Sequence, residues 1–197
     1  MIILFGLAGS GKGTQAKALS EVFGWRTISV GQTIRDTGKY ADIINRGELV
    51  NDDDVIALMN EQIAKIEAEG YEIILDGYPR NIYQAEWIAA NMIDKIDGAI
   101  LLDVPKEELF ERLTLRGRDD DLSEESIKRR FEISEQNFYS IFPLLEKNGV
   151  SVRKVDGTGS VEEVTNRLID IVKEMVPGAR IQVNDVNGEE IERSYGE

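Results

Sequence analysis

The 197 residues suffice for one domain with a substantial core. At 42% apolar and 30% charged residues, the composition is that of a folding chain, neither disordered nor fibrous. With 23 Lys plus Arg against 37 Asp plus Glu, the net charge of −14 argues against general affinity for nucleic acid or anionic lipid, so an anionic ligand must be held by a local concentration of cations. The sequence has no cysteine and no histidine, which excludes disulfides, thiolate zinc sites, thiol nucleophiles and any imidazole-dependent triad.

Short apolar runs alternate with helical periods along the chain. Ile2-Ile3-Leu4-Phe5 reads as a buried strand, and Gly13 to Phe23 as a helix with Ala16, Leu19 and Phe23 on one face. Thr27-Ile28-Ser29 is a weaker strand. Asn51-Asp52-Asp53-Asp54 has the form of a helix start, an N-cap followed by acids in the first turn. The helix it opens runs to Glu69, with Val55, Leu58, Met59, Ile63 and Ile66 as its apolar positions. Strands at Ile73-Ile74-Leu75, Ala99 to Leu102 and Val150 to Val155 alternate with helices at Tyr83 to Asn91, Lys106 to Leu115, Ser123 to Lys147 and Ser160 to Met175. Strands apolar on both faces, separated by helices, predict a doubly wound α/β domain over residues 1–177, built on a five-stranded parallel sheet with ligands at the carboxyl ends of the strands. Past Pro177-Gly178, Asn187-Gly188 lies between short alternating stretches, so residues 178–197 read as an extension that forms either a hairpin or a polar tail.

The strongest local signal is Gly6-Leu7-Ala8-Gly9-Ser10-Gly11-Lys12-Gly13-Thr14, directly after the first strand and opening the first helix. Glycines let the chain wrap so that successive N–H groups point inward. The helix N-terminus and Lys12 add positive charge, and the result is an anion cradle on an acidic protein.

Gly11-Lys12-Gly13-Thr14-Gln15-Ala16 resembles the loop of adenylate kinases and related nucleoside monophosphate kinases. Further segments follow in the family's order: Ile28 to Arg35, Gly47 to Asp52, Leu75-Asp76-Gly77-Tyr78-Pro79-Arg80 through Glu86, Val104 to Arg116 and Gly117-Arg118-Asp119-Asp120-Asp121. The match covers roughly residues 1–175. It implies a P-loop kinase with an acceptor-nucleotide-binding helical segment at about residues 30–60 and a short lid at about 116–127.

The resemblance implies reversible, Mg2+-dependent transfer of the terminal phosphoryl of ATP to AMP. Gly9, Ser10, Gly11, Lys12, Gly13 and Thr14 would hold the donor phosphates, with Arg112 over the donor adenine, Arg116 at its phosphates and Gly159 offering backbone to the base. Asp76 would hold magnesium through water. On the acceptor side it implies Arg35 and Arg80 on the phosphate and Gln84 on the adenine. Val30, Glu48, Leu49, Val50, Gly77, Tyr78 and Pro79 would line that site. Arg118 and Arg130 would clamp the transferring group together with Lys12, Arg80 and Arg116. The register from Ile127 favours Arg130, whereas the count from Arg118 favours Arg129, whose bland reading is a solvated helix face; Arg130 is taken.

Three positions depart from the family pattern: Val30 stands where Thr is usual, Gln32 where Asp is usual, and Ala8 in place of a frequent proline. The first of these keeps a UMP/CMP kinase open as an alternative, and a nucleotide-binding sensor without turnover is the rival from another class. ATP and a nucleoside monophosphate are the expected partners, with neither nucleic acid nor membrane. A monomer is expected. No apolar run has the length of a membrane span and Met1 to Phe5 is too short for a signal peptide, so a cytoplasmic location is expected.

Overall fold

A computed structural model describes residues 1–40, 50–116, 124–184 and 190–192. Five strands form one all-parallel sheet: β1 (Ile2–Gly6), β2 (Arg26–Ser29), β3 (Ile73–Asp76), β4 (Gly98–Asp103) and β5 (Val152–Asp156), in the order β2-β3-β1-β4-β5. Successive side chains of a strand point to opposite faces, and here both faces are covered. Ile3, Phe5 and Leu75 enter one apolar cluster, while Ile2, Leu4 and Ile74 enter the other. That is why β1, β3 and β4 carry continuous rather than alternating apolar runs.

The helices are α1 (Lys12–Phe23), α2 (Val30–Asp36), α3 (Asp52–Ala68), α4 (Ile82–Asn91), α5 (Lys106–Arg116), α6 (Glu124–Lys147) and α7 (Val161–Met175), with a 3-10 turn at Ile93–Lys95. Their ends carry local signals. Asn51 caps α3 by accepting the Asp53 N–H at 2.8 Å, and Ser160 and Glu163 form a reciprocal capping box at the start of α7. Gly24 ends α1 in the left-handed conformation at φ 68°. Helices α1 and α7 share the cluster around Ile2 and Leu4, and α3, α4 and α6 share the one around Ile3 and Phe5. A third, smaller cluster joins Val104, Leu109 and Leu113 to Ile127 and Phe131, with Leu7 and Ala8 of the glycine-rich loop packed against it.

Helix α2 falls within the acceptor-binding helical segment expected at about residues 30–60, although the residue pattern alone showed only the strand Thr27-Ile28-Ser29 there. Beyond α7, Ala179 and Ile181 pack against the α1/α7 cluster. The strands β6 (Gln182–Asn184) and β7 (Glu190–Glu192) then pair antiparallel, with Val183 opposite Ile191. Among the described residues, no helix is long and apolar enough to cross a membrane.

Candidate active site

The sheet register brings the carboxyl ends of the strands to one edge: Asp76 lies beside Leu4 on one side and Ser29 on the other, Gly6 beside Leu102, and Asp103 beside Asp156. Chain order reverses around β1, so this edge is the switch point at which doubly wound sheets bind ligands.

The glycine-rich loop leaves β1 and turns into α1 through Gly9 at φ 83° and Gly11 at φ 91°, conformations that only glycine adopts without strain. Gly9 has a second reason to lack a side chain: a Cβ there would lie 3.1 Å from both the Leu109 carbonyl oxygen and Leu113 Cγ. Lys12 folds back over the loop, its Nζ donating to the carbonyls of Gly6 at 2.7 Å and Leu7 at 3.0 Å. Gly13 and Thr14 stand at the helix start, both exposed. Ser10 is buried, and its hydroxyl has no hydrogen-bond partner among the described residues. It lies over Gly6, where an added methyl would collide with it. Asp76 packs beside the same helix start, its Oδ2 being 3.7 Å from where a Gly13 Cβ would stand.

Across β3 from the loop, the end of β2 leads without a gap into α2. A Cβ on Gly31 would sit 3.2 Å from Arg80 Nη2 and 3.4 Å from Arg35 Nη1, so two guanidiniums from different segments share the space above this glycine. Arg35 Nη2 also donates to Gln32 Oε1 at 3.0 Å, and Gln32 in turn donates to Asp36 at 2.6 Å. Arg80 Nε donates to the Gly77 carbonyl at 3.3 Å. Gln32, the departure noted in the sequence, thus steadies Arg35 without placing a carboxylate of its own against it.

Gln84 is 2% exposed. Its Oε1 accepts the Arg80 N–H at 2.7 Å and its Nε2 donates to Asp52 Oδ1 at 2.7 Å. Val30 and Tyr78 are fully buried in the cluster around Ile3 and Phe5, and Val30 Cγ1 lies 3.7 Å from a Cβ built on Gly77. Burial pushes the Tyr78 phenol well above its ordinary pKa, and its hydroxyl is unpartnered among the described residues. Pro79 is buried and Val50 partly so.

On the other side of β1, Arg112 Nη2 pairs with Glu108 at 2.5 Å and donates to the Gly157 carbonyl at 3.2 Å. Its Nη1 lies 4.0 Å from the Cβ position of Gly11. Arg112 therefore spans from the glycine-rich loop to the turn after β5. In that turn Asp156 accepts from the Thr158 N–H and hydroxyl, which, with Arg167 nearby, lower its pKa. Arg167 Nη1 donates to the carbonyls of Asp156 at 2.9 Å and Thr158 at 2.8 Å, fixing the approach to Gly159.

Glu48, Leu49 and Arg118 lie outside the described residues, as do residues 117–123 of the expected lid. Arg116 ends α5 and Arg130 stands on α6, and of these two only the backbone is described. Arg129 is exposed. Asp52, Gly31 and Arg167 are the residues that the sequence reading did not place at the site.

A family model described as adenylate kinase matches residues 4–150 of this chain. This chain belongs to the adenylate kinase family. It is 37% identical over 178 residues to an adenylate kinase of Synechococcus sp. (strain WH7803), covering 85% of this chain and 95% of the relative. It is 38% identical over 178 residues to one of Prochlorococcus marinus (strain MIT 9515), covering 84% and 94%. It is 34% identical over 182 residues to one of Thermus thermophilus, covering 85% and 94%. Membership of the adenylate kinase family accords with the five-stranded parallel sheet and its loop between β1 and α1. Among the described residues, no three His, Cys, Asp or Glu side chains group as a metal cage.

Proposed function

We propose that the chain catalyses reversible, magnesium-dependent transfer of the γ-phosphoryl of ATP to AMP, giving two ADP. The observation that carries this reading is the pair of cationic stations at one sheet edge: the Lys12 loop after β1, and Arg35 with Arg80 above Gly31, with β3 between them. A single nucleotide needs one phosphate station; two flanking one strand end suit two phosphate chains placed end to end.

The chemistry fits a chain without imidazole. A phosphate monoester is already ionised near neutral pH. One of its oxygens attacks the γ-phosphorus, a P–O bond forms, the bond to the β-phosphate oxygen breaks, and no proton must be removed. Catalysis is then alignment plus stabilisation of charge spread over the transferring group. On this reading the N–H groups from Gly9 to Thr14 cradle the donor, and Lys12 leaves the carbonyls of Gly6 and Leu7 for the phosphates. Arg112 and Gly159 flank the donor base. Arg35 and Arg80 hold the acceptor phosphate, while Val30, Glu48, Leu49, Val50, Gly77, Tyr78, Pro79 and Gln84 form the acceptor pocket. Arg116, Arg118 and Arg130 complete the charge around the transferring group.

Asp76 offers one hard oxygen donor at the mouth of the loop. This suits magnesium, which binds through one or two carboxylates, waters and substrate phosphates rather than a protein cage. The bound ion would neutralise phosphate charge as that charge shifts during transfer.

The deciding experiment is a coupled assay with Mg·ATP and each of AMP, CMP, UMP, GMP and dAMP. AMP should give diphosphate fastest. A preference for UMP or CMP overturns the acceptor assignment, and ATP binding without turnover on any acceptor overturns the enzyme reading.

A further inference from the structure

The amide of Gln84 is held in one orientation by groups that cannot exchange roles. The Arg80 backbone N–H can only donate, and it meets Oε1. The Asp52 carboxylate accepts, and its Oδ1 meets both Gln84 Nε2 at 2.7 Å and Asn81 Nδ2 at 2.9 Å. Asn81 Oδ1 closes the ring by accepting the Gln84 N–H at 3.0 Å. Turning the amide over would set N–H against N–H and carbonyl against carboxylate. Burial of Gln84 makes both mismatches costly, because its amide cannot turn to water instead. An amide has two N–H groups and two carbonyl lone pairs, so one of each remains unassigned, in a fixed order.

We propose that Asp52 is a positioning residue for acceptor-base selection. By locking Gln84, it commits the site to bases that carry an exocyclic amino group beside an unprotonated ring nitrogen. This rests on the reading of Gln84 as the base contact. Adenine presents N6–H and N1 in that order, and cytosine presents N4–H and N3. Hypoxanthine, guanine and uracil present an oxygen beside a ring N–H, the reverse order. The lock therefore divides amino bases from oxo bases. AMP and IMP are the sharpest probe pair, being nearly equal in shape and opposite along this edge.

The experiment measures kcat/KM for AMP and IMP in the wild type and in D52N, D52A, D52E and Q84A, with circular dichroism to confirm folding. An asparagine at 52 can present either oxygen or NH2, so D52N should lower the AMP/IMP ratio about tenfold, with the IMP value rising in absolute terms. D52E keeps a carboxylate and should preserve the ratio. Should D52N not fold, D52A reads the same loss of discrimination. A D52N ratio equal to that of the wild type, or a fall with AMP and IMP in equal proportion, overturns the proposal and leaves phosphoryl transfer standing. A Q84A enzyme that still discriminates AMP from IMP as the wild type does removes Gln84 as the reader, and the proposal falls with it. Absence of turnover in the wild type refutes the proposed reaction itself.

Discussion

The guanidiniums of Arg35 and Arg80 converge on Gly31, one carried by α2 and the other by the turn between β3 and α4, with terminal nitrogens 3.4 and 3.2 Å from where a methyl on that glycine would stand. Two like charges brought together by separate segments are stabilised by an anion bound between them. Gly31→Ala places a methyl in that space. The guanidinium ends are flexible and can yield, so the fold should persist, while the acceptor KM rises about tenfold. Steady-state kinetics with AMP as the varied substrate checks this; an unchanged KM would mean that the two arginines do not act on one phosphate.

Removing a cation from either station tests the catalytic arrangement. Lys12→Ala and Arg80→Ala should each lower turnover by about 10²–10⁴-fold, the scale of losing a group that stabilises developing charge. Far-UV circular dichroism should be unaltered. Near-normal activity in Arg80→Ala would remove the acceptor station from the mechanism.

Tyr78 buries its whole side chain, yet its hydroxyl is unpartnered among the described residues. Deleting a buried hydroxyl that makes no bond relieves its desolvation cost. Tyr78→Phe should therefore stabilise the protein by about 1 kcal/mol in urea denaturation. A loss of stability instead would show that the hydroxyl is bonded in solution.

Two carboxylates at the turn after β5 have lowered pKa values: Asp156 chiefly through the Thr158 N–H, and Glu163 chiefly through the Ser160 N–H. A group whose pKa is lower folded than unfolded contributes stability above its unfolded value. That contribution is lost as pH falls through the folded one. The window here lies below about pH 4. Glu163→Gln should flatten the fall of the urea midpoint with acid in that window while leaving the slope between pH 6 and 8 unchanged. Midpoints measured from about pH 2.5 to 8 decide it.

What the sequence disclosed, and what it hid, divides along physical lines. Strands β1, β3 and β4 were plainly legible because burial on both faces leaves continuous apolar runs, whereas β2 and β5, at the sheet edges, mix apolar with exposed polar residues and gave weaker patterns. The Lys12 loop was legible because its glycines and lysine must stand at fixed spacing. Helix α2 was legible only through the family resemblance, not through residue pattern: Val30, Gly31 and Thr33 are poor helix formers, and the chain passes from Ser29 into the helix with no intervening turn residue. The use of Gly31 in making room for two side chains exists only in three dimensions. Asp52 was legible as part of a helix start, but its bond to Gln84 spans 32 positions and leaves no periodic trace. Asn81 proves to be the N-cap of α4, three residues before Gln84, a role seen only in the structure. The same bond that starts α4 also fixes the backbone of the residue whose amide Asp52 grips.

The small cluster of Val104, Leu109, Leu113, Ile127 and Phe131 stands apart from the two that sandwich the sheet, and Leu7 and Ala8 are braced against it. Local stability in such a satellite is set by its own few contacts rather than by the global unfolding free energy. A cavity made there, as by Leu113→Ala beneath Gly9, would loosen the nucleotide cradle long before the whole molecule melted. Such damage would register in a binding isotherm while a thermal scan still looked healthy.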